Sequence, residues 1–252
     1  LLRQETFGAF NLSAIGEDGF RFRVEEILAL CGDVSACGAI CVGGAGVSGA
    51  AMAEILRTEL SARGHTSVTD DALRFVSRGT SRFVSNWHVR FYRYFPKLYN
   101  KGYAYAGSHP ASFDESSAAS RLLRRGCQRL RRAVADGGFD AVISVHLFPA
   151  LMLTFIQHSD PLPIKTLFVA TDYTASPSCD RIRPDVCVIP DASLTDEFAA
   201  AGIRRETIAP CGIPVRAALY QKLPSAEAKK RVGIDPSHRH LLIMTGSMGC
   251  GP

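Results

Sequence analysis

The sequence predicts a doubly wound α/β domain built on a parallel sheet, and three observations predict it. Short strand-like runs at 39–42, 66–69, 141–145, 164–170, 185–189 and 207–209, most of them apolar, alternate with longer segments of helical apolar spacing. Several of these runs are apolar at consecutive positions, as strands covered on both faces must be. They also turn abruptly polar or glycine-rich at their carboxyl ends, which is where open parallel sheets hold ligands.

Taken in order, residues 1–37 form a segment without periodic pattern, apart from a turn at Gly16-Glu17-Asp18-Gly19 and a short helical stretch at 23–30. The Rossmann-like domain spans 38–218. Its first strand, 39–42, runs into a glycine loop at 43–49, then a helix over 50–63 that Gly64 ends. A second strand, 66–69, closes on Asp70-Asp71. Residues 72–113 predict two or three helices, one opened by Pro96. Asp114-Glu115-Ser116 starts a longer helix, acidic at its amino end and arginine-rich towards its carboxyl end as the helix dipole favours. Leu122, Leu123, Cys127, Leu130 and Val134 keep helical spacing in it, and Gly137-Gly138 ends it.

From there strands and helices alternate quickly. Helices at 148–158, with Pro149 in the first turn, and at 193–201, capped by Gly202, separate the later strands. Residues 219–240 form a looser linker with a short helix at 226–232. A fresh strand at 241–245 leads into Gly246-Ser247-Met248-Gly249, the expected start of a second α/β domain. The chain opens on Leu1 and stops at Pro252 after that glycine turn, so it is expected to be a fragment.

Composition sets the class. A hydrophobic share of 46% with 21% charge suits a soluble globular protein with an ample core. The most apolar stretch, 141–156, is interrupted by Ser144, His146, Pro149 and Thr154 and is not a membrane span. Residues 1–30 are charged throughout and have no signal-peptide core. None of the eight cysteines forms a Cys-x-x-Cys pair, which favours buried free thiols in a reducing cytosol over a zinc site.

Charge is concentrated in one place. Residues 72–113 contain seven basic side chains and no acid, which leaves −2 for the rest of a chain whose net charge is +5. The same interval holds half of the chain's 22 aromatics, Trp87 among them. Aromatics interleaved with Arg90, Arg93, Lys97 and Lys101 suit the interface of an anionic bilayer. Nucleic acid also accepts such a block; the membrane is the expected partner because it agrees with the resemblance described next.

Two stretches carry chemistry. Gly44-Ala45-Gly46-Val47-Ser48-Gly49 is a GxGxxG between a strand and a helix, able to cradle an oxygen anion on backbone N–H groups, and Asp70 follows about twenty residues later. Thr171-Asp172-Tyr173-Thr174 ends the strand 164–170 and places a carboxylate and hydroxyls at its carboxyl end. A turn-capping role for Asp172 is the alternative.

Taken together, Asp71-Ala72-Leu73, Tyr94-Phe95-Pro96-Lys97-Leu98-Tyr99, the run 140–149, Ala170 to Thr174, Ile189-Pro190, Leu194 to Phe198, Gly202-Ile203, Gly212-Ile213-Pro214-Val215-Arg216 and Gly246 to Gly249 resemble the monogalactosyldiacylglycerol synthase and processive diacylglycerol glucosyltransferase family. The resemblance covers about 43–252. It implies a GT-B glycosyltransferase of two Rossmann-like domains that transfers a hexose from a UDP-sugar to a lipid hydroxyl at a membrane surface, with inversion and without a metal or other cofactor. Gly44, Gly46, Ser48, Pro149, Thr171 and Tyr173 are then expected at the acceptor side. Gly212, Pro214, Arg216, Gly246, Ser247 and Gly249 are expected at the donor. One departure stands out: the family's first glycine loop reads Gly-x-Gly-His, and Val47 follows Gly46 here. Valine accepts no proton, so a base has to come from elsewhere, with His146 and Asp172 at strand ends as the candidates and a satisfied core histidine as the alternative for His146. Two other readings remain at this level, a nucleotide-dependent oxidoreductase resting on GxGxxG with Asp70, and a catalytically impaired family member that binds lipid. The expected location is the cytoplasmic face of a membrane, peripherally attached.

Overall fold

The computed structural model describes residues 38–43, 47–62, 64–95, 97–98, 101, 117–214 and 223–241. Its centre is a six-stranded, all-parallel sheet of β1 (Gly38–Gly43), β2 (Thr66–Asp71), β3 (Phe139–Ser144), β4 (Lys165–Val169), β5 (Val186–Ile189) and β6 (Ile208–Pro210), in the order β2-β1-β3-β4-β5-β6. The helices are α1 (Val47–Ala62), α2 (Ala72–Val76), α3 (Arg78–Tyr94), α4 (Ala118–Asp136), α5 (Leu147–Ser159), α6 (Thr195–Ala200) and α7 (Ser225–Arg231). The doubly wound α/β fold expected from the sequence is the fold observed.

Alternate side chains of a strand point to opposite faces, and the two cores divide by that rule. Val142, Phe168, Ala170, Cys187 and Ile189 join the core beneath α2, α4 and α5. Ala141, Ile143, Leu167, Val169, Val186 and Val188 join Ala53, Leu56 and Leu60 of α1 on the other face. Consecutive apolar residues in β3, β4 and β5 are thus each buried, but against different layers. Helix α5 lies against the sheet with Leu151, Met152 and Ile156 fully buried.

Local chemistry sets the helix positions. Asp71 is the N-cap of α2, accepting the Leu73 N–H at 2.9 Å, and its other oxygen accepts the Ser81 hydroxyl, which ties α3 to the end of β2. Arg129 of α4 donates to the carbonyls of Phe75 and Val76 at 3.2 and 3.1 Å, satisfying the open C-terminal end of α2. Helix α4 approaches α2 closely at Gly126, where an added Cβ would lie 2.9 Å from the Val76 backbone nitrogen.

Several expected boundaries shift. Helix α1 starts at Val47 rather than at residue 50, taking Ser48 and Gly49 into its first turn. Helix α4 starts at Ala118 behind the N-cap Ser117, whose hydroxyl accepts the Ser120 N–H at 3.1 Å. The dipole reading of α4 is corrected: it has no acid in its first turn and no basic residue in its last. Arg121, Arg125 and Arg132 are exposed because Leu123, Cys127, Leu130 and Val134 occupy the inner side. A 3-10 turn, Ala192–Leu194, precedes α6 because Asp191 caps Ser193. The strand expected at 241–245 and the helix expected to begin at Pro96 fall mainly outside the described residues.

Among the described residues, one non-glycine position has a left-handed backbone. Ser178, in the connection from β4 to β5, has φ of 72°, and its buried hydroxyl has no hydrogen-bond partner among them. A left-handed conformation costs a non-glycine residue roughly 1–2 kcal/mol, and a buried unpaired hydroxyl adds to that. Ser178→Gly removes both costs while adding freedom to the unfolded chain. The expected result is a net stabilisation of about 1 kcal/mol, seen as a melting temperature roughly 2–4 °C higher.

Candidate functional site

The carboxyl ends of the strands line one edge of the sheet, and the expected site residues fall along it. Val42 of β1 pairs with Ser144 of β3, and Ser144 pairs with Phe168 of β4, so these three strands end nearly level. Neighbouring strands lie about 4.8 Å apart. The loop after β1, His146 after β3 and Asp172 after β4 therefore belong to consecutive strands. Since β2 pairs on one side of β1 and β3 on the other, the crossovers diverge here and leave the crevice in which open α/β sheets bind ligands.

His146 is the N-cap of α5, half-buried, with an extended backbone at φ −153° and ψ 153°. Its Nδ1 accepts the Phe148 N–H at 3.2 Å, and its ring meets the Phe148 ring edge-on with centroids 4.7 Å apart. An imidazole accepting at Nδ1 carries its proton on Nε2 when neutral, so the ring in this arrangement is a hydrogen-bond donor at that atom. Pro149 is buried in the first turn of the same helix, where its missing N–H has no intrahelical acceptor to lose.

Thr171 is half-buried, whereas Asp172 and Tyr173 are exposed. Among the described residues the Asp172 carboxylate takes no hydrogen bond and no ion pair, so it caps no turn there. The segment is held on both sides. The Ala170 N–H donates to the Val188 carbonyl at 2.8 Å. Beyond Asp172, Oε1 of Glu197 accepts the Thr174 hydroxyl at 2.7 Å and the Ala175 N–H at 2.8 Å.

Gly212 and Pro214 follow β6 on the same edge. Gly212 adopts φ of 91°, a conformation open to glycine, and its N–H donates to the Ile189 carbonyl at 3.2 Å. Pro214 is buried. Four strand spacings, roughly 19 Å, separate β6 from β1. The structure thus groups the ends of β1, β3 and β4 and sets Gly212 and Pro214 apart from them along one edge. Gly44, Gly46, Arg216, Gly246, Ser247 and Gly249 lie outside the described residues, and Ser48 is described only by its backbone in α1.

The basic block occupies α2, α3 and the residues immediately beyond them. Arg90, Lys97 and Lys101 are exposed, and so are Phe83 at 60%, Tyr94 at 69%, Phe95 at 57% and Leu98 at 55%. Phe83, Arg90 and Tyr94 recur at helical spacing on one side of α3. The side chains of Trp87 and Arg93, also within α3, lie outside the described set. Among the described residues, no helix is long and apolar enough to cross a membrane.

Thiol and metal chemistry have little to work with among the described residues. Among the described residues Cys127, Cys179, Cys187 and Cys211 are buried and form no disulfide, and burial pushes the thiols of Cys127 and Cys179 up to about 11 and that of Cys187 to about 12. Cys127, Cys179 and Cys187 therefore stay protonated at neutral pH and make poor nucleophiles or ligands. No group of three His, Cys, Asp or Glu side chains comes together as a metal site.

Sequence reasoning gave no role to two acids that the structure places near this edge. Asp191, after β5, is exposed and accepts both the N–H and the hydroxyl of Ser193, which hold its carboxyl below the usual range. Glu197 is the other. Its two bonds reach back 22 and 23 residues, and nothing in the local sequence signals a contact at that distance.

The model of the family described as monogalactosyldiacylglycerol (MGDG) synthase matches residues 50–215, about two thirds of the chain. The matched span begins just after the glycine loop and takes in His146, Pro149, Thr171 to Tyr173, Gly212, Pro214 and the whole basic block. No curated protein matches the chain.

Proposed function

The chain belongs to the monogalactosyldiacylglycerol synthase family, glycosyltransferases of glycolipid synthesis acting on diacylglycerol, and from that premise we propose that it transfers a hexose from a UDP-sugar to diacylglycerol or a related lipid hydroxyl. The observation that carries this reading is that two strand-end clusters, His146 after β3 and Thr171 to Tyr173 after β4, follow neighbouring strands beside the switch point and lie inside the matched span.

In this reading the acceptor hydroxyl enters the crevice between the ends of β1, β3 and β4. Its oxygen attacks the anomeric carbon on the face opposite the diphosphate, and a C–O bond forms as the bond to the diphosphate breaks. UDP departs with the electron pair, and the hydroxyl proton passes to a general base, with inversion at carbon. Asp172 suits the base, since it is exposed and its oxygens accept no bond from any other described residue. His146 suits the donor of a hydrogen bond from Nε2 to a sugar, lipid or phosphate oxygen, because its Nδ1 is committed to the Phe148 amide. Gly212, Pro214 and Arg216 are assigned to the donor side, Arg216 because a guanidinium matches a diphosphate. The transfer needs neither metal nor further cofactor, and the enzyme works as a peripheral protein at the cytoplasmic face of an anionic membrane.

A catalytically impaired, lipid-binding member is the second reading, favoured by Val47 standing where the family has histidine. A nucleotide-dependent oxidoreductase has only GxGxxG and Asp70 in its support, and Asp70 is occupied by the Asp71 N–H at 2.8 Å and by Arg74 at 3.2 Å. Hexosyl transfer by the full-length protein separates the active from the impaired member, and ligand-induced shifts in melting temperature separate the transferase from the oxidoreductase. Anything that binds the native state raises the melting temperature. The expected result is a rise with UDP and none with NAD or NADP; a rise with a dinucleotide alone would overturn the transferase reading.

A further inference from the structure

We propose that Glu197 is a positioning residue for the reaction, holding the arch that presents Asp172; this rests on the reading of Asp172 as the base. The arch is short and anchored at both ends. On the strand side, Ala170 is buried and its N–H is bonded to Val188 of β5 at 2.8 Å. On the far side, Thr174 and Ala175 are bonded through the Thr174 hydroxyl and the Ala175 N–H to one oxygen of Glu197, at 2.7 and 2.8 Å. Only Thr171, Asp172 and Tyr173 lie between.

Glu197 sits in the first turn of α6, on the crossover from β5 to β6, and Phe198 beside it is fully buried in the core. The carboxylate is thus mounted on a packed element. Bonds to an ionised acceptor are shorter and roughly twice as strong as neutral ones. Ala175 is half-buried against the core, so the Glu197 pair fixes where the strand-end segment joins the packed part of the chain. With that acceptor removed the base is held less closely, and a displacement of about 1 Å costs up to about a hundredfold in rate.

The chemistry of the acceptor gives a selective test. A glutamine side chain at this position keeps a carbonyl oxygen able to accept both bonds, whereas alanine removes the acceptor. In the full-length protein, Glu197→Ala is expected to lower kcat about tenfold or more with the KM for UDP-hexose nearly unchanged, and Glu197→Gln to restore most of kcat. Amide hydrogen exchange at Ala175 is expected to quicken in Glu197→Ala and to stay slow in Glu197→Gln. The melting temperature should move little in either, because the contact is at the surface. An unchanged kcat in Glu197→Ala, with an active wild type, would overturn the positioning role alone. Unchanged exchange at Ala175 would overturn the anchor itself. No hexosyl transfer by the wild type would overturn the reaction and the positioning role together.

Discussion

Asp172→Asn in the full-length protein is expected to lower turnover by roughly 10²- to 10⁴-fold, the range general-base removal covers, while leaving the fold intact. The carboxylate is exposed and bonded to no other described residue, so the amide disturbs no contact among them. Surface changes of that kind stay within about 0.5 kcal/mol. A turn cap would behave in the opposite way, losing about 0.5–2 kcal/mol of stability with little effect on rate. Turnover and melting temperature measured on the same preparation distinguish the two. Unchanged turnover would remove Asp172 from the mechanism and leave the base unassigned, since His146 in its present hydrogen bonding donates rather than accepts at Nε2.

The second large effect concerns adsorption. Reversing Arg90, Arg93, Lys97 and Lys101 together to glutamate is expected to abolish binding to anionic vesicles. Each basic residue near such a surface contributes about 1 kcal/mol, so losing four cations alone weakens adsorption by about 4 kcal/mol, and the new negative charges add repulsion. Arg90, Lys97 and Lys101 are exposed, and Phe83, Tyr94, Phe95 and Leu98 stand exposed around them, ready to enter the headgroup layer. Binding to neutral vesicles should change far less, and salt should weaken the unmodified protein in the same direction. Sedimentation with vesicles at low and high salt reads this directly. A folded charge-reversed protein that still sediments like the unmodified one would make the block an ordinary solvated face.

What the sequence disclosed and what it did not have separate physical causes. Strands β3, β4 and β5 were legible to within two residues because two-sided burial demands consecutive apolar side chains, and polar or glycine residues follow at once. Asp172 and His146 were legible as site candidates for the same reason, since the carboxyl end of a buried strand is visible as a change of composition. Helix starts were less so. Gly49 reads as loop but is tolerated in the first turn of α1, and Ser117 rather than the acids before it caps α4. The arginines of α4 read as a dipole effect, but the buried stripe of Leu123, Cys127, Leu130 and Val134 decides where they go. Contacts set by tertiary packing were not legible at all. Arg129 capping α2, or Glu197 holding Thr174 and Ala175, depends on which elements the fold brings together.

Transfer itself is the measurement closest to the central claim. Full-length protein, UDP-hexose labelled in the sugar, and vesicles of anionic phospholipid with and without diacylglycerol are incubated, and the lipids are extracted and separated. The account predicts label in a hexosyl-diacylglycerol whose anomeric configuration is opposite to that of the donor, formed only when diacylglycerol is present. Label that never enters the lipid fraction, from a folded protein that binds UDP and sediments with the vesicles, would contradict it.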